Sequence, residues 1–141
     1  MKSEKMIQEK NIALLGEPVI TNMIREFVKE EMRNYKISFE SSEAPRSQEK
    51  IEQTIEQIIS SHPNITIFGN YDGYERLIEK YLKTPELVTI PVIVASGYEE
   101  RQINPSRTFI YLEKPHILNK LKSTIEETIA LDKEIYKLMF S

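Results

Sequence analysis

The 141-residue chain contains no cysteine, which excludes a disulfide framework, a thiolate metal site and a cysteine nucleophile. Histidine is almost as scarce. His62 and His116 lie far apart beside Pro63 and Pro115, which suits loop or helix-start positions better than metal ligation. There is no basic block: 19 Lys and Arg are interleaved with 22 Asp and Glu, a formal net charge of −3. Nothing electrostatic therefore favours nucleic acid or an anionic membrane as a partner. No apolar run approaches the roughly 18 residues of a membrane span, and the opening MKSEKMIQEK lacks the apolar core of a signal peptide. A cytoplasmic location is expected. The glycines of FGNYDG do not have the GxGxxG or GxxxxGK spacing of a phosphate-binding loop, and no cofactor is expected.

What is present suffices for one compact domain with a proper core: 40% of the residues are apolar and seven prolines are spread along the chain. Strand and helix patterns alternate. IALL (12–15) is a continuous apolar run, and after Pro18 the residues Ile20, Met23, Ile24, Phe27 and Val28 recur at helical spacing. KISFE (36–40) reads as a short strand, SSEAPRS as a polar loop, and Ile51, Ile55, Ile58 and Ile59 as a second amphipathic helix. NITIF (64–68) is a third strand, GNYDG a turn, and Tyr74, Leu77, Ile78, Tyr81 and Leu82 line a third helix. IPVIVAS (90–96) reads as a strand buried on both faces, and FIYL (109–112) as a fifth. The last helix is expected to start near Pro115 and carries Ile117, Leu118, Leu121, Ile125, Ile129, Ile135 and Leu138.

Five βα units in a row predict a mostly parallel sheet with helices on both faces. In such a sheet ligands sit outside the carboxyl ends of the strands, near the point where strand order reverses. The candidate site residues are therefore those that end strands: Leu15, Gly16 and Glu17; Gly69 and Asn70; Ser96 and Gly97; Glu113, Lys114 and Pro115.

At these positions the sequence resembles the receiver domain of two-component response regulators. GEPVITNMIREFV looks like the segment that leaves the first strand, IPVIVASGY like a fourth strand ending in a hydroxyl residue, and FIYLEKP like a fifth strand ending in Lys-Pro. The resemblance spans roughly residues 11–130 and rests on order and spacing more than on one motif. It implies a flavodoxin-like (βα)5 doubly wound sandwich with a parallel sheet in the order 2-1-3-4-5. Tyr111 would stand where receivers often carry a switch aromatic.

A receiver that accepts a phosphoryl group needs two acids after the first strand to hold a divalent cation, and an aspartate at the end of the third as nucleophile. With Glu17-Pro18 set on the family's Glu-Pro, the acidic pair falls on Leu15 and Gly16; sliding by one brings in Glu17 but never two acids. The acceptor falls on Gly69. The loop after it is short, and GYEERQINPSR, between Ser96 and Lys114, offers no convincing fourth helix. The pattern looks like a pseudo-receiver, with the scaffold and part of the switch kept and the phosphorylation chemistry gone.

Each residue also has an ordinary structural reading. Ser96 could cap a strand end, Tyr111 could be a packed strand residue, and Lys114 could pair with Glu17 or Glu113 instead of binding an anion. Asp72-Gly73 is a common turn pair. From Pro115 to the end there is neither proline nor glycine, so one helix of about 25 residues, on the order of 37 Å, could form. Ile129, Ile135, Leu138 and Met139 would then extend its apolar face as a contact surface for a second copy or another protein, unless the tail folds back on its own domain. The expected organisation is a flexible charged start (1–10), a receiver-like domain (11–130) and an extension of the last helix (131–141).

Four functions follow in order of preference. The first is a non-enzymatic receiver-like module acting through protein contacts. The second is a small-molecule or anion sensor built on Lys114, Ser96 and the amides near Gly16 and Gly69. The third is a regulator phosphorylated at Asp72 or Glu17, and the last an unrelated flavodoxin-like enzyme.

Overall fold

The central apolar runs are buried on both faces, and that alone forces helices onto each side of a sheet. In a computed structural model, residues 9–70, 72–96, 109–113 and 121–127 are described. Five strands, β1 (Lys10–Leu15), β2 (Tyr35–Ser41), β3 (Ile65–Phe68), β4 (Val92–Ser96) and β5 (Phe109–Glu113), form one sheet in the order β2-β1-β3-β4-β5. Every pairing is parallel, as expected. Strand order reverses between β1 and β3, so the crevice expected to carry function opens at their carboxyl ends.

Three helices are bounded within the described chain: α1 (Pro18–Glu31), α2 (Gln48–Ser60) and α3 (Glu75–Lys83); residues 121–127 are also helical. Pro18 sits in the first turn of α1, where its missing N–H costs nothing and its fixed φ suits the helix. Ser47 caps α2 by accepting the Lys50 N–H at 3.1 Å. The alternation along β1 then divides the core. Ile12 and Leu14 join Ile24, Val28, Ile65, Ile67, Ile93, Leu121 and Ile125 on the α1 side. Ala13 and Leu15 join Ile51, Ile55, Ile58, Phe68, Leu77, Ile78 and Tyr81 on the α2–α3 side. Each such aliphatic side chain contributes about 1.5–3 kcal/mol by leaving water.

One polar pair is buried inside that second layer. Thr66 on β3 and Tyr81 on α3 share a hydrogen bond of 2.8 Å, and both are fully buried. The bond satisfies the hydroxyls and fixes the rotation of α3 against the sheet.

The edge strand departs from simple alternation. β1 residues Ile12 and Ala13 pair with Ile37 and Phe39, so Ser38 is an extra residue and β2 carries a bulge. Before it, Tyr35 and Ile37 face the α1 layer; after it, Phe39 packs on the α2 layer. Glu40 meets Arg25 of α1 at 2.7 Å.

Local expectations shift in four places. Met23, placed on the inward stripe of α1, is 43% exposed. Tyr74 stands at the N-cap of α3 and Ile90 in the turn before β4, although both pack on the core. β1 begins at Lys10, inside the segment expected to be a flexible start. The shortened stretch between β4 and β5, where no convincing fourth helix was expected, and the expected extension of the last helix beyond residue 127 lie outside the described residues.

Candidate functional site

At the strand-order reversal the backbone draws tight. The Gly69 N–H donates to the Leu15 carbonyl at 2.6 Å, and the Gly16 N–H to the Ser41 carbonyl at 3.1 Å, so the ends of β1, β2 and β3 are tied together. Gly16 has φ +152°, and a Cβ there would lie 3.0 Å from both the Gly69 Cα and the Asn70 Oδ1. Only glycine fits.

Gly69 is closed off by a different neighbour. A Cβ at this position would lie 2.6 Å from Cγ2 and 3.3 Å from Cβ of Ile20, in the first turn of α1. Because the helix begins at Pro18, its third residue is carried over the end of β3, and an isoleucine fills the space in front of residue 69.

Asn70 completes the closure. It is only 7% exposed, and its Oδ1 accepts the Glu17 N–H at 2.7 Å. α1 is thus capped by a residue from the end of β3, since the Glu17 side chain makes no capping bond. The Glu17 side chain is exposed. Tyr74, 3% exposed, packs against Phe68 with ring centroids 6.1 Å apart. Burial raises the pKa of its phenol, and the carboxylates of Glu17 and then Glu43 raise it further. The phenol is therefore held neutral.

The expected site residues are placed as follows. Gly16, Glu17 and Gly69 come together at the crevice. Leu15 adjoins them through its carbonyl, but its side chain is fully buried in the α2–α3 layer. Ser96 pairs with Glu113, and Tyr111 with Val94, in the β4–β5 ladder; the side chains of Ser96 and Tyr111 are outside the description. Lys114, Pro115, Ile129, Ile135, Leu138 and Met139 lie outside the described residues. Asp72 occupies the exposed turn before α3. Among the described residues no three His, Asp or Glu side chains gather as metal ligands, and no helix is long and apolar enough to cross a membrane.

Two residues of the crevice were not singled out by sequence as site residues: Ile20, and Tyr74, whose phenol feels the carboxylates of Glu17 and Glu43. Ile20 carries the same signal as any core position on an amphipathic helix. Asn70 was among the candidates as a strand-end residue, and the structure gives it the role of a cap.

No protein-family model matches the chain, and no curated protein does. Solved structures do match. A response regulator from Desulfuromonas acetoxidans is similar over 86% of this chain and 98% of its own, with a TM-score of 0.61 and 16% identity. The N-terminal domain of a response regulator receiver protein from Methanoculleus marisnigri JR1 is similar over 84% of this chain and 94% of its own, with a TM-score of 0.52 and 17% identity. The likeness establishes the fold: this chain is built on the flavodoxin-like plan of receiver domains.

Proposed function

We propose that the chain is a receiver-like signalling module of the two-component type that has given up phosphorylation and works through protein contacts, without catalysing a reaction. The observation that carries this reading is the closed acceptor position. Phosphoryl transfer to a receiver needs a carboxylate nucleophile at the end of β3 and acids that hold a cation beside it. Here residue 69 is a glycine, the space in front of it holds the Ile20 side chain, and the adjoining Gly16 has no room for a side chain either.

With that trigger gone, the signal would come from a partner that binds one conformation better than another, or from a constitutive contact. The domain would comprise residues 11–130, with its contacts on residues 97–140. Ile129, Ile135, Leu138 and Met139 would supply an apolar face for a protein partner or a second copy. Ser96 and Tyr111 would be what is left of the switch, and Lys114 an element of the old crevice. The protein would act in the cytoplasm.

The test is incubation with acetyl phosphate and magnesium, followed by intact mass measurement, with light scattering on the same samples. No labile phosphoryl adduct and an unchanged solution mass are expected. An adduct at Asp72 or Glu17 would overturn the proposal.

A further inference from the structure

The described cavities lie along the seam between the edge strand β2 and helix α2, and one of them reaches Ser41 beside the crevice. One, of about 680 Å³, is lined by residues that include Ser41, Ser42, Arg46, Lys50 and Thr54. The other, of about 600 Å³, reaches Ser38, Phe39, Ser60 and Ser61. Gln53 and Gln57 line both, so the two form one groove. Its origin is structural. The isoleucine stripe of α2 packs with α3 residues over the inner sheet, while among the described residues β2 has no strand on its outer side. The bulge at Ser38 then puts Phe39 on the α2 side of the strand.

The chemistry of the walls is uneven. Along the seam α2 presents Gln53, Thr54, Gln57 and Ser60, side chains that hydrogen-bond without charge, beside the Glu56 carboxylate, which lines the cavity that reaches Ser38. At one end stand two cations, Arg46 and Lys50, and among the described residues neither has a carboxylate within ion-pairing distance. Arg46 and Lys50 are both exposed at this end of the groove. Glu43 shares that cavity, and its charge also raises the pKa of the Tyr74 phenol.

We infer that this groove binds a phosphorylated sugar, free or as the sugar-phosphate part of a nucleotide. The phosphate sits against Arg46 and Lys50, where charge-assisted hydrogen bonds are strongest. The sugar hydroxyls lie along Thr54, Gln53 and Gln57, and Phe39 offers an apolar surface to the ring or base. The size fits, since small-molecule sites commonly enclose about 300–1,000 Å³. The inference stands apart from the proposed contact function, because none of these residues belongs to the crevice or to residues 97–140.

The experiment is a two-dimensional amide NMR titration of the full chain with ribose 5-phosphate, 5′-AMP, ribose and orthophosphate in turn. At least one of the two phosphorylated sugars should saturably shift Gln53, Thr54 and Gln57 with a Kd below about 1 mM. Ribose and orthophosphate alone should bind at least about tenfold more weakly, and Arg46→Gln and Lys50→Gln should each weaken binding about tenfold with melting unchanged. Tighter binding of 5′-AMP would assign the groove to nucleotides, and equal affinity to sugar phosphates generally. No saturable shift, orthophosphate binding as tight as the sugar phosphate, shifts centred on Gly16 and Asn70, or indifference to both substitutions would each overturn the assignment.

Discussion

Gly69→Ala isolates the closure of the crevice, because it adds one methyl group where Ile20 already stands. Gly69 is not among the glycines with positive φ, so the backbone tolerates a side chain and the penalty must come from packing. The new Cβ would lie 2.6 Å from the Ile20 Cγ2, about 1 Å inside an optimal carbon contact of roughly 3.5–4.0 Å. Turning that methyl away leaves the Ile20 Cβ at 3.3 Å, and a β-branched side chain has few rotamers to turn to. Overpacking of this kind costs about 1–3 kcal/mol. Restricting the unfolded chain returns about 0.4–1 kcal/mol. A net loss of about 1–2 kcal/mol is expected, or a fall in Tm of roughly 3–10 °C for a chain of this size. Urea unfolding followed by circular dichroism should measure it in a cycle with Ile20→Ala, which removes the offending methyl but keeps its own Cβ. In that background Gly69→Ala should be nearly neutral, a coupling of about 1–2 kcal/mol. Losses that simply add to within about 0.5 kcal/mol would refute the picture of Ile20 as the group that fills the site.

Other perturbations probe other layers. Tyr81→Phe removes the buried bond to Thr66 and should cost about 1–2 kcal/mol by chemical denaturation, most of it from the stranded threonine hydroxyl. Asn70→Ala uncaps α1 at the Glu17 N–H and should cost about 1 kcal/mol, read as a lower urea midpoint. Burial raises the phenol pKa values of Tyr35, Tyr74 and Tyr81 in the folded state. Below about pH 10 both states keep these phenols protonated; above it the unfolded chain ionises first, so stability declines as pH climbs toward the folded-state values. Tyrosinate absorbance should accordingly lag for part of the tyrosine signal and appear with unfolding; full titration with the fold intact would contradict the burial of these rings. Truncation after residue 130 should lower the solution mass or abolish partner binding if the tail forms the contact face, and unchanged values would remove it from consideration.

Much of the architecture was legible because it rests on local repetition. The isoleucines at 51, 55 and 58 announced α2 and its buried face, and NITIF and IPVIVAS announced strands covered on both sides, which forces the doubly wound arrangement. Strand ends were read to within a residue or two because prolines and glycines punctuate them. What escaped depends on pairs of distant residues. The extra Ser38 in β2 is defined only against β1, and KISFE on its own looks like an ordinary short strand. Ile20 was legible as apolar, but its contact with position 69 arises only when α1 is laid across the end of β3. Met23 fitted the helical period yet falls outside the arc that the sheet covers.

The irregularity in β2 also bears on the edge of the sheet as a template for other chains. An edge strand of seven residues offers unpaired amides and carbonyls on which a neighbouring chain could template, the route by which sheets run on into aggregates. An interrupted register and a local twist make that edge a poor template, because a second strand laid against one half falls out of step with the other. The same displaced serine that turns Phe39 toward α2 therefore makes the β2 edge a poorer template for a second chain.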